Sequence, residues 1–194
     1  VREIAGRTGR GRRIAALGLS TQGGALLLLD GDFRPLANAV SWLDTRARET
    51  EALLAEKIGA DELYRTCGWP IMHSLNFPTI VWFREKRPEL FEKARYFAST
   101  VDYLNRLLTG RFVIDPTNLA LTLFLDLDTN DFSLRALEIA GIRRESVPEV
   151  VPSGRIIGRL KADAAEVLGL QEGLPVASGA HDQYCASVGA GAVR

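Results

Sequence analysis

The chain has 194 residues, 46% of them hydrophobic, and its 24 Lys plus Arg are matched by 24 Asp plus Glu, for a formal net charge of zero. That is enough apolar content for one large domain, or one domain with an elaboration, and a balanced charge supplies no field to draw in nucleic acid or an anionic membrane. No apolar run approaches the ~18 residues that span a bilayer, and no charged-then-apolar leader opens the chain. Cys67 and Cys185 are too few and too far apart for a disulfide framework, and with only His73 and His181 beside them no His/Cys metal cage is expected. A reducing cytoplasm fits these features, with neither nucleic acid nor membrane as a partner.

Residues 1–13 contain Gly6-Arg7-Thr8-Gly9-Arg10-Gly11-Arg12-Arg13, which lacks the Gly-Lys-Ser/Thr ending of a phosphate loop and reads as a solvated connection. Residues 14–19 predict a buried strand and residues 25–29 a second, nearly all-leucine one. The short turn Thr21-Gln22-Gly23-Gly24 between them favours an antiparallel pair. Gly23 and Gly24 let a ligand approach the backbone closely, or merely supply positive φ. Residues 36–42 are extended. Asp44 is expected to open a helix over 44–57 with Gly59 as its stop, so that Trp42, Asp44 and Arg46 share the handover from strand to helix.

Further helices are predicted over residues 61–66, 77–85, 88–94, 103–108, 116–120, 133–140 and 162–168. Pro88 falls at a first turn, Ser133 at a cap, and Gly110 and Gly141 at stops. Extended stretches are expected at 95–98, 112–114 and 123–127, and a strand or turn over 153–160. Near the end, residues 174–177 read as a strand, 178–180 as a small-residue turn and 183–188 as a helix, which places Asp182 at the mouth of the turn. Two compatible roles are open to Asp182. Its carboxylate suits a helix N-cap, and an acid at the carboxyl end of a strand in an open α/β sheet can take a proton from a substrate hydroxyl.

Five segments together resemble the N-terminal domain of the FGGY family of carbohydrate kinases: Leu17-Gly18-Leu19-Ser20-Thr21-Gln22, Asn38-Ala39-Val40-Ser41-Trp42-Leu43-Asp44-Thr45-Arg46, Asp102-Tyr103-Leu104 with Leu108-Thr109-Gly110, Asp115-Pro116-Thr117-Asn118 leading to Leu125-Asp126, and Gly179-Ala180-His181-Asp182-Gln183. The resemblance implies an α/β actin-like ATPase, ribonuclease-H-like fold, with a mixed central sheet flanked by helices and incomplete at its N-terminus. It also implies ATP-dependent phosphorylation of a sugar or polyol hydroxyl, with Mg²⁺ on the nucleotide. Asp182 matches the family's catalytic base and Gln183 a substrate-binding position. Trp42 matches an aromatic wall and Gly23-Gly24 the pair that reads substrate hydroxyls, with Gln22, Asp44 and Arg46 as further candidates in the same segments. A loose phosphoryl-transfer transition state needs little more from the protein than positioning, charge neutralisation and one base.

There are also departures. Gly23-Gly24 stands where glycerol kinases resemble one another in an Arg-Glu pair and xylulokinases in a Met-His pair, so that position does not name the sugar. Thr79 replaces a family lysine, and Ser74 falls where glycerol kinases carry an aromatic, which disfavours glycerol. By the resemblance, residues 1–194 are expected to be the sugar-binding N-terminal domain. The first phosphate-binding hairpin and the C-terminal ATP-binding domain lie outside it, so that the chain alone turns over no ATP. The expected substrate is a ketopentose in a xylulokinase-like enzyme, with room for a homodimer. The alternatives are a ribulokinase-like or other polyol kinase, or a sugar-binding module without catalysis. A nicotinamide enzyme is disfavoured, since Gly189-x-Gly191 follows a helix and opens no βαβ unit.

Overall fold

The computed structural model describes residues 1–8 and 14–192. Its first half runs α1 (Arg2–Thr8), β1 (Ser20–Thr21), β2 (Leu27–Leu29), α2 (Arg48–Leu54), α3 (Ala60–Cys67), α4 (Asn76–Lys86), α5 (Pro88–Phe91), β3 (Tyr96–Ala98) and α6 (Thr100–Thr109). The second half adds β4 (Val113–Ile114), α7 (Pro116–Ala120), β5 (Leu125–Asp126), β6 (Asp131–Phe132), α8 (Leu134–Ala140), β7 (Glu149–Val150), β8 (Ile156–Arg159), α9 (Ala162–Leu168), β9 (Pro175–Ala177), β10 (Ala180–His181) and α10 (Asp182–Gly189).

The strands pair in both senses. β1 runs parallel to β10, and Leu17 extends that alignment by bridging in parallel to Val176 at the centre of β9. β9 is antiparallel to β8, β4 is parallel to β7, and β5 forms an antiparallel hairpin with β6. β2 is buried on every residue, which is why leucine can occupy each position without alternation. One edge of β2 pairs antiparallel with β3, Leu28 facing Phe97, and the other meets residues 35–40 through bridges at Leu29–Pro35 and Leu26–Val40.

Most of the clustered buried apolar side chains fall into two groups. The larger holds Leu26, Phe77, Ile80, Ile114, Leu119 and Phe124, each at most 2% exposed. The smaller gathers Val113, Ile157, Leu160 and Val176 beneath β8 and β9. Each such side chain contributes about 1.5–3 kcal/mol relative to leaving it in water.

Four sequence expectations are corrected. Residues 14–19 do not pair with 25–29: both edges of β2 are already taken, and the earlier segment runs instead beside β9 and β10, more than a hundred residues downstream. Residues 1–7 are solvated as expected, all but Ala5 being exposed, but residues 1–8 are not without regular structure. They include α1, whose Arg2 guanidinium donates to the carbonyls of Val167 (3.1 Å) and Glu166 at the end of α9. The rest of the glycine-arginine stretch, residues 9–13, lies outside the described residues. Asp44 does not open the next helix, because its carboxylate is turned back onto the Arg46 N–H (2.8 Å) and guanidinium, and α2 begins only at Arg48. Gly59 does not stop that helix either: a π-helical turn, Ala55–Gly59, carries the chain directly into α3.

Candidate functional site

The chain reaches the site by a close backbone crossing. After β9 it turns at Gly179 and lays β10 beside β1, with Ser20 opposite Ala180 and Thr21 opposite His181. Gly179 has φ +82°, and a Cβ there would sit 2.3 Å from the Leu19 carbonyl oxygen, so only glycine permits the two strands to come together at this height.

The N-terminus of α7 ties the same strands from below. Asp115 caps α7 by accepting the N–H groups of Thr117 (3.0 Å) and Asn118 (3.2 Å), and it also accepts from Asn118 Nδ2 (2.6 Å), Ser153 Oγ (3.2 Å) and the Thr117 hydroxyl. Thr117 Oγ1 in turn accepts the His181 N–H (2.9 Å), and Asn118 Oδ1 accepts from Thr21 Oγ1 (3.3 Å). One buried carboxylate thereby holds the ends of both β1 and β10.

Asp182 is not the N-cap of α10. That place belongs to His181, whose backbone is extended (φ −62°, ψ 141°), while Asp182 is already the first helical residue. Its carboxylate is therefore left with 50% side-chain exposure, and its Oδ1 lies 3.0 Å from His181 Nε2.

A cleft of ≈370 Å³ opens over this corner. Trp42, Trp69, Met72, Leu75 and Leu121 form its apolar walls; Gln22, Ser74, His181, Asp182 and Gln183 supply its polar groups. Gly23 is the floor: a Cβ on it would lie 2.1 Å from Leu121 Cδ1 and 3.1 Å from His181 Cδ2. A mostly apolar concavity with a few convergent polar groups is the ordinary form of a small-ligand site. A larger groove of ≈690 Å³ runs along α2 and α3; among its lining residues His73 Nδ1 and Glu51 Oε2 pair with each other at 2.7 Å.

Of the residues singled out in the sequence, Gln22, Gly23, Trp42, Asp182 and Gln183 come together in the smaller cleft, with Trp42 48% exposed there. Gly24, Asp44 and Arg46 do not line it. Gly24 is buried at φ +67° behind the wall, where a Cβ would meet Leu75 Cδ2 at 3.0 Å and Trp42 Cβ at 3.1 Å. Asp44 pairs with Arg46 (2.8 Å), whose guanidinium lies 5.0 Å from the Trp82 ring centre and 5.8 Å from that of Phe83. The Arg46 guanidinium holds the Asp44 carboxyl below its usual range, and Asp44 raises Arg46 in return. The pair braces the turn that carries Trp42.

Sequence reasoning missed Trp69, Met72, Leu75 and Leu121, and treated His181 only as part of a motif. The segment between α3 and α4, Gly68-Trp69-Pro70-Ile71-Met72-His73-Ser74, did hold a signal. It sets large apolar residues in a Pro/Gly-marked loop with no helical or strand period, as binding loops do. The loop is pinned by Glu51, whose Oε2 accepts the His73 N–H at 2.6 Å. Among the described residues no group of three His, Cys, Asp or Glu could hold a metal ion.

A strand, a glycine turn and an acid heading a helix, facing an aromatic-walled cleft, form the candidate site on an actin-like ATPase fold. The structure is similar to that of xylulose kinase from Rhodospirillum rubrum, with a TM-score of 0.95 and 26% identity over 100% of this chain and 40% of that one. It is also similar to gluconate kinase from Lactobacillus acidophilus, with a TM-score of 0.88 and 26% identity over 95% of this chain and 38% of that one. The sequence is 33% identical over 165 residues to L-fuculokinase of Salmonella typhi, covering 85% of this chain and 35% of the relative. The model for the N-terminal domain of the FGGY family of carbohydrate kinases matches residues 7–189, and the chain belongs to that family. It spans about a third of the length of the curated relatives it matches, 35% and 38% for two L-fuculokinases.

Proposed function

We propose that this chain is the sugar-binding domain of an enzyme that transfers a phosphoryl group from ATP to a hydroxyl of a ketose, with Asp182 as the general base. The observation that carries the reading is the half-exposed Asp182 carboxylate at the head of α10, in one cleft with Gln22, Gln183 and Trp42. In that cleft the sugar's C–H faces lie against Trp42 and Trp69, while its hydroxyls exchange hydrogen bonds with Gln22, Ser74 and Gln183. A hydroxyl left without a partner would forfeit about 1–3 kcal/mol, so this polar set is the basis of discrimination. Gly23, having no side chain, allows the sugar to approach the backbone.

Asp182 accepts the proton of the attacking hydroxyl as its oxygen bonds to phosphorus and the nucleotide leaves as ADP. Mg²⁺ would arrive with the nucleotide and would supply the neutralisation of phosphate charge. A ketopentose is the substrate expected from the resemblance. A deoxy-ketose is a second reading: a relative is an L-fuculokinase, and Met72, Leu75 and Leu121 offer a methyl group an apolar seat.

The test is Asp182→Asn in the full-length protein, assayed for sugar-dependent ADP release. Since Asp182 is not the helix cap, the change should leave melting temperature and KM near wild type while kcat falls roughly 10²- to 10⁴-fold. Undiminished turnover would remove Asp182 from the reaction, and sugar binding by the wild-type protein without any ADP release would make it a binding module.

A further inference from the structure

We infer that Glu51 is a positioning residue that sets sugar affinity from outside the cleft, by fixing the loop that forms one of its walls; this rests on the sugar site proposed for that cleft. The loop is residues 69–74, between α3 and α4, and it has two faces. Trp69, Met72 and Ser74 line the cleft, whereas Pro70, Ile71 and His73 line the ≈690 Å³ groove along α2 and α3. The wall thus stands between the two, and a residue on the groove side governs what the sugar touches on the other.

Little in the loop's own sequence holds that arrangement. Residues 69–74 form no helix or strand, and they follow Gly68, which is in left-handed conformation (φ +76°). Trp69 and Ile71 pack against the larger apolar cluster, but the polar bonds nearby are local. The Trp69 carbonyl accepts from Cys67 Sγ (3.4 Å), the Met72 carbonyl from the Leu75 N–H (3.0 Å) and the His73 carbonyl from Thr79 Oγ1 (3.4 Å). Among the described residues, Glu51 is the one hydrogen-bonding partner of the loop from outside residues 67–79. Its Oε2 accepts the His73 N–H (2.6 Å) and pairs with His73 Nδ1 (2.7 Å), so one carboxylate oxygen holds both the backbone and the ring of the same residue. An ionised carboxylate can only accept, which places a proton on Nδ1. His73 lies between Met72 and Ser74, and holding it on the groove side leaves both neighbours on the cleft side.

The anchor is itself well seated, since α2 buries Thr50 and Leu54 on either side of Glu51. Without it the loop would sample many conformations, and the sugar would have to order it on binding. That penalty falls on binding and not on the chemical step, because Asp182 arrives on α10 and is tied to the rest of the site through β10.

The experiment is steady-state kinetics of Glu51 and His73 variants of the full-length protein on a panel of ketopentoses, with kcat and KM read separately. Glu51→Ala, which keeps a good helix former in α2, should raise KM about tenfold to a hundredfold with kcat within about threefold of wild type. Glu51→Gln should hold KM within about threefold, because its amide oxygen can accept the same two bonds. His73→Leu should raise KM less than Glu51→Ala does, since its N–H still reaches Glu51, and His73→Asn, whose amide nitrogen falls near the Nδ1 position, should restore KM; this pair decides the matter if Glu51→Ala does not fold. Unchanged KM in Glu51→Ala, a fall in kcat at unchanged KM, or equal losses in the Ala and Gln variants would overturn the inference. If the wild-type protein phosphorylates none of these sugars, the kinase reading fails and the loop still tests this one without a ligand. The indole ¹H–¹⁵N resonance of Trp69 should shift and broaden in Glu51→Ala and return in Glu51→Gln, with that of Trp82 unchanged; a Trp69 resonance identical in all three proteins refutes it.

Discussion

Gly23→Ala tests the shape of the cleft at its tightest point. The new Cβ would fall 2.1 Å from Leu121 Cδ1, 3.0 Å from Leu121 Cβ and 3.1 Å from His181 Cδ2, where carbon atoms prefer about 3.5–4.0 Å. The first overlap could be relieved by rotating Leu121, but the second involves an atom fixed to the backbone at the end of α7, where the Leu121 N–H is bonded to the Asn118 carbonyl at 3.2 Å. Overpacking of this kind costs about 1–3 kcal/mol. At roughly 2–4 °C per kcal/mol for a domain of this size, the melting temperature should fall by about 2–12 °C. The displaced Leu121 and His181 also narrow the cleft, so KM for the sugar should rise about tenfold or more. Scanning calorimetry and steady-state kinetics on Gly23→Ala, Leu121→Ala and the double variant give the coupling: truncating Leu121 removes the 2.1 Å overlap with Cδ1 and leaves the 3.0 Å approach to Cβ, so Gly23→Ala should cost less stability in that background than in wild type. A Gly23→Ala protein that melts within 1 °C of wild type, or an equal cost in both backgrounds, would refute the steric reasoning.

Asp102 gives a stability test with a defined sign. Complete burial pushes its carboxyl well above the ordinary 3.8, the Ser99 N–H opposes this, and nearby Asp115 adds to it. The folded state thus keeps a proton that the unfolded chain releases near pH 4, so the associated stability is fully present below that pH and is lost as pH rises towards the folded-state value. Asp102→Asn should remove this dependence, and the melting temperature of the variant minus that of wild type should increase with pH; a difference that stays flat would refute it. Trp42→Ala should weaken ketose binding about tenfold by calorimetry, with little loss of stability from a side chain 48% exposed; unchanged affinity would remove Trp42 from the sugar wall.

Local chemistry made many of the elements legible. Residues 162–168 were readable as a helix and coincide with α9, Ser133 caps α8 through the Ala136 N–H, and Gly110 and Gly141 end their helices in left-handed conformation, because such signals act within a turn of themselves. Strand pairing was not legible. The leucines of β2 state that both its faces are buried, but they carry no information on which segments occupy its edges. Asp44 misled because its best partner proved to be Arg46 two residues on and not a helix N-terminus, a competition that Asp side chains often decide in favour of the turn. Within the candidate site, the glycine turn and the acid were readable from their small-residue setting. The apolar wall was not, since Trp69, Met72 and Leu121 meet only through tertiary packing.

The joining of β1 to β10 is only two residues long, yet it brings Gln22 and Asp182 into one cleft from opposite ends of the described chain. Contacts of such wide sequence separation form only after the intervening loop has been closed, so the cleft is assembled by completion of the fold and has no local precursor. A ligand that bridges the two ends would act as a clasp, binding the folded chain and not the unfolded one and stabilising it by mass action. Occupancy of this corner and integrity of the whole domain are then a single equilibrium, and a substitution at the crossing, such as at Gly179, would be felt in both.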